Sequence, residues 1–218
     1  MTRAVVVLSG GLDSTVLLAQ LVAQGVASCA LSVDYGQRHR VELDAAQRVA
    51  SHYGVPHTVA NLSTLRPLLG ASSQTCDATP VPEGHYTHET MKLTVVPNRN
   101  MVLLSVSIAH AIATGRNAVA YGAHSGDRTI YPDCREDFAA AMAVAALLCD
   151  WQPITLLRPF VHLTKADIVA LGYALGVPFE LTWSCYQGGS VHCGRCGTCV
   201  ERREAFTLSN LPDPTAYA

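Results

Sequence analysis

The sequence predicts an α/β fold, a doubly wound parallel sheet with a small C-terminal four-cysteine segment. Three observations predict it. Five short apolar or β-branched runs alternate with stretches of helical spacing, the pattern of βα units around a parallel sheet. The first run leads straight into a glycine-rich turn and a helix, at the sheet edge where such folds collect ligands. Four cysteines follow the last strand run as one cluster.

Each element follows from local pattern. Residues 4–8 form a buried strand, and Ser14 to Gln24 has helical spacing ended by Gly25. Residues 27–33 are the second strand. Residues 39–53 place Leu43, Ala46, Val49, Ala50 and Tyr53 on one helical side before Gly54. Residues 57–62 are the third strand. Residues 63–97 carry Pro67, Pro80, Pro82 and Pro97 and little periodicity, so they read as a long functional or mobile loop. An apolar helix spans 99–114, the fourth strand 118–121, and loop 122–135. An Ala-rich helix spans 135–148, and the fifth strand 154–157. Thr164 caps a helix with Asp167 at its third position, a variant capping box, and Gly176 stops it. After the cysteines comes a last helix, 200–208, then a tail with two prolines that reads as loose. The expected division is residues 1–180 as the α/β domain and 181–218 as the cysteine segment with its helix.

Composition narrows the function. The chain has 218 residues, 49% hydrophobic and 15% charged, with a formal net charge of -2. That suits one domain with an appendage, burying ~70% of its unfolded surface. Disorder is excluded by the hydrophobicity, and nucleic acid is not expected because no positive field exists to release counterions. Residues 14–33 lack charges, but Gln20, Gln24, Gly25, Ser28 and Ser32 interrupt them, so no membrane partner is expected. No signal peptide is legible, and cytoplasmic location is the expectation. Lys92 and Lys165 are the only lysines and neither follows a glycine, which excludes a Walker A loop.

The turn after the first strand reads Leu8-Ser9-Gly10-Gly11-Leu12-Asp13-Ser14-Thr15. Two glycines let the backbone approach an anion, the hydroxyls of Ser9, Ser14 and Thr15 add donors, and the helix N-terminus adds N–H groups and partial positive charge. Asp13 beside a phosphate site makes sense if it holds Mg²⁺. A plain capped turn is the simpler alternative, which a bare Gly-Gly would favour. This S-G-G-x-D-S string resembles the PP-loop ATP pyrophosphatase family, whose fold is adenine-nucleotide α-hydrolase-like. The resemblance implies ATP cleavage between the α and β phosphates, with Leu8 to Leu18 (Val16, Leu17 and Leu18 included) as the nucleotide-binding stretch.

Cys185, Cys193, Cys196 and Cys199 carry the second motif, C-G-R-C-G-T-C preceded by one more cysteine. Four thiolates at this spacing suit a closed tetrahedral Zn²⁺ site with a structural role. A redox dithiol would need only two cysteines, and an iron–sulfur cluster is the remaining alternative. Arg195, Arg202 and Arg203 are expected to offset the thiolate charge. Cys29, Cys76 and Cys149 read as inert.

Three more polar strings lie beside strands or helices: D-Y-G-Q-R-H-R from Asp34, P-N-R-N from Pro97, and G-D-R-T-I-Y-P-D-C-R from Gly126. Singly, Asp34 or Asn98 could be a helix cap. Taken together, and in order with the two motifs above, the strings resemble the 7-cyano-7-deazaguanine synthase family over residues 5 to about 206. His124-Ser125-Gly126-Asp127 and the long loop are where substrate-dependent variation is expected. The resemblance implies a zinc-containing homodimer, a carbon–nitrogen ligase. It would convert 7-carboxy-7-deazaguanine, ammonia and ATP to the nitrile through two adenylations. Adenylation answers a chemical need, since a carboxylate or amide oxygen cannot leave unaided.

The expected roles follow. Asp13, Lys165 and Arg99 are catalytic, Lys165 countering charge on the phosphates. Arg38, Tyr131, Asp133 and Arg135 bind the deazapurine, Asp133 accepting from its guanine-like edge and Tyr131 stacking. An amide-forming ligase on a related acid and a tRNA-modifying PP-loop enzyme are the alternatives. The latter would need a basic RNA surface that the composition lacks.

Overall fold

The computed structural model describes residues 1–85, 88–124 and 131–218. Residues 125–130, which include Gly126 and Asp127 of the third polar string, lie outside the described residues.

Five strands form one sheet: β1 (Ala4–Val7), β2 (Ala27–Asp34), β3 (His57–Asn61), β4 (Ala118–Ala120) and β5 (Thr155–Leu157). Their order is β3-β2-β1-β4-β5 and every pairing is parallel. Val6 pairs with Ala30 on one side and Ala120 on the other. β1 and β4 are fully or almost fully buried, which is why both read as unbroken apolar runs.

Helices cover both faces. On one lie α1 (Leu12–Ala23), α2 (Val41–His52), α6 (Lys165–Ala174) and α7 (Gly197–Leu208), packed through Val16, Leu17, Val49, Ile168 and Phe206. On the other, α4 (Arg99–Ala113) and α5 (Glu136–Leu148) pack through Leu104, Ile108, Ala139 and Met142. α3 (His88–Lys92) is a short turn of helix in the long loop. α1 and α6 approach closely at Gly172, where a Cβ would lie 2.6 Å from the Phe179 ring and 2.7 Å from Val16. The capping box of α6 forms as the sequence implies: the Asp167 N–H donates to Thr164 Oγ1 and the Thr164 N–H to the Asp167 carboxylate.

Two expectations about irregular chain are corrected. The described residues of the loop 63–97 are held at several points, which leaves the functional rather than the mobile reading: Ser73 N–H donates to Leu93 O at 2.7 Å, and Gly84 N–H to Arg195 O at 2.7 Å. Gln74 within it is wholly buried. The tail is not loose either, because Asp213 pairs with buried Arg202 and the Ala218 N–H donates to His192 O. α7 also begins three residues earlier than expected, since Cys196 occupies its N-cap.

The direction of sheet growth reverses between β1 and β4. The crevice beyond their carboxyl ends is the topological switch point where this class of sheet binds ligands. Gly122, after β4, lies against the glycine-rich turn that follows β1, where a Cβ would meet the Asp13 carbonyl carbon at 3.4 Å.

Candidate active site

A cleft of about 220 Å³ opens at this switch point. The first loop forms its floor. Gly10 has φ +85°, and a Cβ there would come within 2.2 Å of Glu42 O and 2.6 Å of Ala46 N. The loop is thus pressed onto the N-terminal turn of α2, and only glycine fits. Ser14 Oγ binds Ser9 Oγ at 3.0 Å and receives the Ser9 N–H at 3.2 Å. Ser9, Gly11, Leu12, Asp13 and Ser14 line the cleft.

Other members of the expected nucleotide-binding stretch do not reach it with their side chains. Thr15 Oγ1 donates to Gly11 O at 2.8 Å and is buried, so its hydroxyl is occupied in shaping the turn. Val16, Leu17 and Leu18 are wholly buried in the core under α1. Helical periodicity turns these residues away from the loop.

Asp13 Oδ2 lies 3.3 Å from Lys165 Nζ and 3.9 Å from His124 Nε2. Burial acts to raise the Asp13 carboxyl, but Lys165 and His124 together outweigh it and hold it below its ordinary range. Its Oδ1 is buried with no hydrogen-bond partner among the described residues. A buried anionic oxygen left open, beside a glycine-rich helix N-terminus, fits a hard divalent cation such as Mg²⁺. Lys165 is shared with Glu201 of α7, whose Oε2 is 3.8 Å from Nζ.

The opposite wall carries Arg99, Tyr35, Tyr131 and Cys134. Arg99 Nη1 donates to Gln74 Oε1 at 3.2 Å, and the Tyr35 hydroxyl donates to the same oxygen at 3.3 Å. Burial pushes the Tyr35 hydroxyl up to about 12 despite nearby Arg99, so it stays a neutral donor. Tyr131 shares a 2.7 Å hydrogen bond with Thr94 Oγ1. Tyr121 also faces the cleft; its hydroxyl is pushed up to about 12 by burial and has no partner among the described residues.

The remaining expected substrate contacts lie elsewhere. Arg38 reaches away from the cleft and donates to Cys76 O and Thr79 O at 2.9 and 3.0 Å, latching the long loop. Asp133 Oδ2 accepts the Asn100 N–H at 3.0 Å, so it caps α4 rather than lining the cleft. Arg135 is exposed at the N-cap of α5. Asn98 holds the N-cap of α4 in the left-handed region at φ +60° and makes no side-chain cap bond, so Asp133 supplies the cap. The Asp34 carboxylate is likewise occupied, by the Gly36 N–H and by Arg40.

Residue-level reasoning missed part of the cleft. His39 and Tyr35 belong to a string that sequence analysis singled out, but only Arg38 was drawn from it. His39 Nε2 lies 3.2 Å from Glu42 Oε2, and its ring packs 4.9 Å from Tyr186. Trp183, Tyr186, Thr198 and Glu201 enter from the segment around the cysteines, where sequence spacing points to the thiols and the arginines beside them.

The cysteine ligand atoms all lie within 4.8 Å of one another. A tetrahedron with metal–sulfur bonds of about 2.3 Å puts its sulfurs about 3.8 Å apart. The distances 193–199, 185–196 and 196–199 are 4.0, 4.0 and 3.4 Å. This close set fits one metal ion better than a cluster, which needs inorganic atoms between the thiolates. The expected arginine compensation is not how the charge is met: Arg195 pairs with Glu83, Arg202 with Asp213, and Arg203 lies over the Tyr217 ring. Backbone N–H groups of Cys193, Arg195 and Cys196 point at the sulfurs instead, at 3.2 to 3.4 Å.

The model of the family described as "Queuosine biosynthesis protein QueC" matches residues 3–210. The chain belongs to the QueC family. Its relatives include the 7-cyano-7-deazaguanine synthase of Paracoccus denitrificans, 52% identical over 99% of this chain and 93% of that protein. That of Methanoregula boonei is 47% identical over 99% of both. Among solved structures, the QueC chain shares its fold with the U34-tRNA thiolase NcsA from Methanococcus maripaludis (TM-score 0.53, 17% identity, 96% of this chain and 65% of that one). It also matches the NMN synthetase from Francisella tularensis (TM-score 0.51, 16% identity, 96% and 78%). These likenesses establish the PP-loop fold. No helix among the described residues is long and apolar enough to cross a membrane.

Proposed function

We propose that this QueC protein converts 7-carboxy-7-deazaguanine and ammonia to 7-cyano-7-deazaguanine at the expense of two ATP, as a carbon–nitrogen ligase. The observation that carries the reading is Asp13 with its open Oδ1, bridged to Lys165, on a phosphate-type loop that faces Tyr131 and Arg99 across one cleft. The names of its relatives supply the product; the acid follows from the family resemblance.

The loop N–H groups and Ser9 receive the polyphosphate; Asp13 would hold Mg²⁺, whose charge would offset that of the phosphates. Lys165 stabilises the same charge as it grows. Arg99 holds the carboxylate or the adenylate phosphate, with its fork kept in place by Gln74. Tyr131 covers the deazapurine ring. Ammonia displaces AMP to give the amide. The amide oxygen is adenylated in turn, and its loss leaves the nitrile. Among the described residues there is one phosphate loop, so both activations are assigned to one site.

Zn²⁺ is the proposed occupant of the four thiolates, holding residues 181–218 against the 1–180 domain. We propose a homodimer and a cytoplasmic enzyme, following the family resemblance. Val144, Leu147, Leu148 and Trp151 are exposed on and after α5 and give a second copy an apolar strip to cover.

The test is incubation with the acid, ammonium, Mg²⁺ and ATP, read by mass spectrometry. The expected result is nitrile with two AMP formed per nitrile. The amide supplied alone with ATP should also become nitrile without added ammonium. Release of ADP overturns adenylation, and amide as the end product reclassifies the chain as an amide-forming ligase.

A further inference from the structure

Ammonia transfer and nitrile formation both release protons inside the cleft. Ammonia attacking the acyl adenylate forms a C–N bond and leaves its nitrogen positively charged. One N–H proton must go as the C–O bond to AMP breaks, giving amide, AMP and a proton. The O-adenylated amide must lose two N–H protons. The second departs as the C–O bond breaks and the nitrogen electron pair closes the triple bond. Water can accept such protons, but a positioned base is typically worth about 10²- to 10⁴-fold in rate.

Asp13 and Lys165 are engaged with each other, and the hydroxyls of Tyr35 and Tyr121 are too weakly acidic to serve as anions near neutrality. His39 differs. It lines the cleft, and its side chain is 3% exposed. Nε2 faces Glu42 Oε2 at 3.2 Å. Glu42 is itself fixed, because its Oε1 accepts from Gln37 Nε2 at 2.9 Å. Gln37 Oε1 in turn accepts the Tyr35 N–H at 2.9 Å, so the chain is anchored in the backbone after β2. A carboxylate at Nε2 fixes the proton there in the neutral ring. Nδ1 is then the lone-pair atom; it is buried and has no hydrogen-bond partner among the described residues, so it is open only to a group that packs against the ring in the cleft. The arrangement matches a carboxylate-oriented imidazole base, with the carboxylate also stabilising the cation that forms.

We propose that His39, oriented by Glu42, is the general base that takes the N–H protons in amide and nitrile formation. The proposal rests on the reaction proposed above and names the group that completes it. Each proton passes from nitrogen to the imidazole and then to solvent, and no other reactant is needed. Glu42 is a positioning residue, acting through His39.

Adenylation of the acid needs no base, so the two halves of the reaction separate the roles. The experiment compares wild type, His39→Gln and Glu42→Gln. One assay measures acid-dependent exchange of labelled pyrophosphate into ATP, and the other measures amide and nitrile formation at saturating ammonium. The expected result for His39→Gln is exchange within about threefold of wild type, with product formation down on the order of 10²-fold or more. Glu42→Gln, which still offers Nε2 an acceptor, should show the same pattern with a smaller loss. Product formation by His39→Gln at the wild-type rate overturns the proposal. So does a parallel loss of exchange and product, which makes His39 part of the adenylation site. A wild-type protein with no acid-dependent exchange overturns the underlying reaction instead.

Discussion

Arg202 and Asp213 form an ion pair at 3.3 Å in which the guanidinium is wholly buried and the carboxylate is 12% exposed. Arg202 also donates to Thr182 Oγ1 at 2.7 Å and to Phe179 O at 3.1 Å, and packs 5.4 Å from the Phe206 ring centre. Removing one partner of such a pair costs about 3–5 kcal/mol, because the other charge stays buried alone. Asp213→Ala should therefore unfold at markedly lower urea concentration. Burial acts to raise the Asp213 carboxyl, but the Tyr217 hydroxyl and Arg202 outweigh it and hold it below its ordinary 3.8. A depressed carboxylate contributes stability above its unfolded value, and that contribution is lost as pH falls through the folded one. The gap between wild type and variant should be full at neutral pH and shrink below about pH 3.8. A gap that is small, or constant with pH, would show that the pair is not what holds the tail.

The metal site is expected to couple to folding. Metal analysis should give about one zinc per chain, following the four-ligand count. Cys196→Ser should lose the metal and lower the melting temperature through loss of one of the four thiols, since serine is itself a good N-cap for α7. Metal-free protein with unchanged melting and turnover would remove zinc from the account.

Gly10→Ala tests the seating of the phosphate loop. The added methyl would meet Glu42 O and Ala46 N far inside contact distance, at φ +85°. Overpacking of this kind costs about 1–3 kcal/mol. The loss should appear in denaturant unfolding together with weakened ATP binding. A fully stable variant with normal ATP affinity would show that the loop does not depend on α2.

Lys165→Met leaves Asp13 buried without its main counter-charge. Turnover should fall by about 10²- to 10³-fold, the scale for losing one transition-state donor. The Asp13 carboxyl should also titrate higher than in wild type, so activity should be lost earlier as pH is lowered. An unchanged rate and acid limb would make Lys165 a surface residue with no part in the chemistry. Asp13→Ala with full ATP turnover would reject the phosphate assignment itself.

Asp133→Ala separates helix capping from substrate binding. Its carboxylate caps α4 through the Asn100 N–H, so the variant should lose about 0.5–2 kcal/mol of stability. The KM for the deazapurine acid should stay near wild type. A large rise in that KM with unchanged stability would return Asp133 to the substrate.

The sequence by itself determined the order of the strands and of the six longer helices, the glycine-rich turn after β1, the α6 capping box and the four-cysteine cluster. These depend on short-range pattern: periodicity of burial, turn residues with positive φ, and ligands a few residues apart. The tertiary structure decided which polar residues face the cleft. Tyr131 and Asp133 are two residues apart, yet one lines the cleft and the other caps α4. Arg38 and His39 are adjacent, yet Arg38 turns to the long loop and His39 to Glu42 and Tyr186. Neighbours in irregular chain carry no fixed period, so their directions are set by the elements that pack against them. Lys165, Glu201 and Asp13 meet only because α6 and α7 pack beside α1, and His39 sits between Glu42 and Tyr186 only where α2 and the cysteine segment close over it. Such long-range juxtapositions follow from how the layers stack, which no local window of residues records.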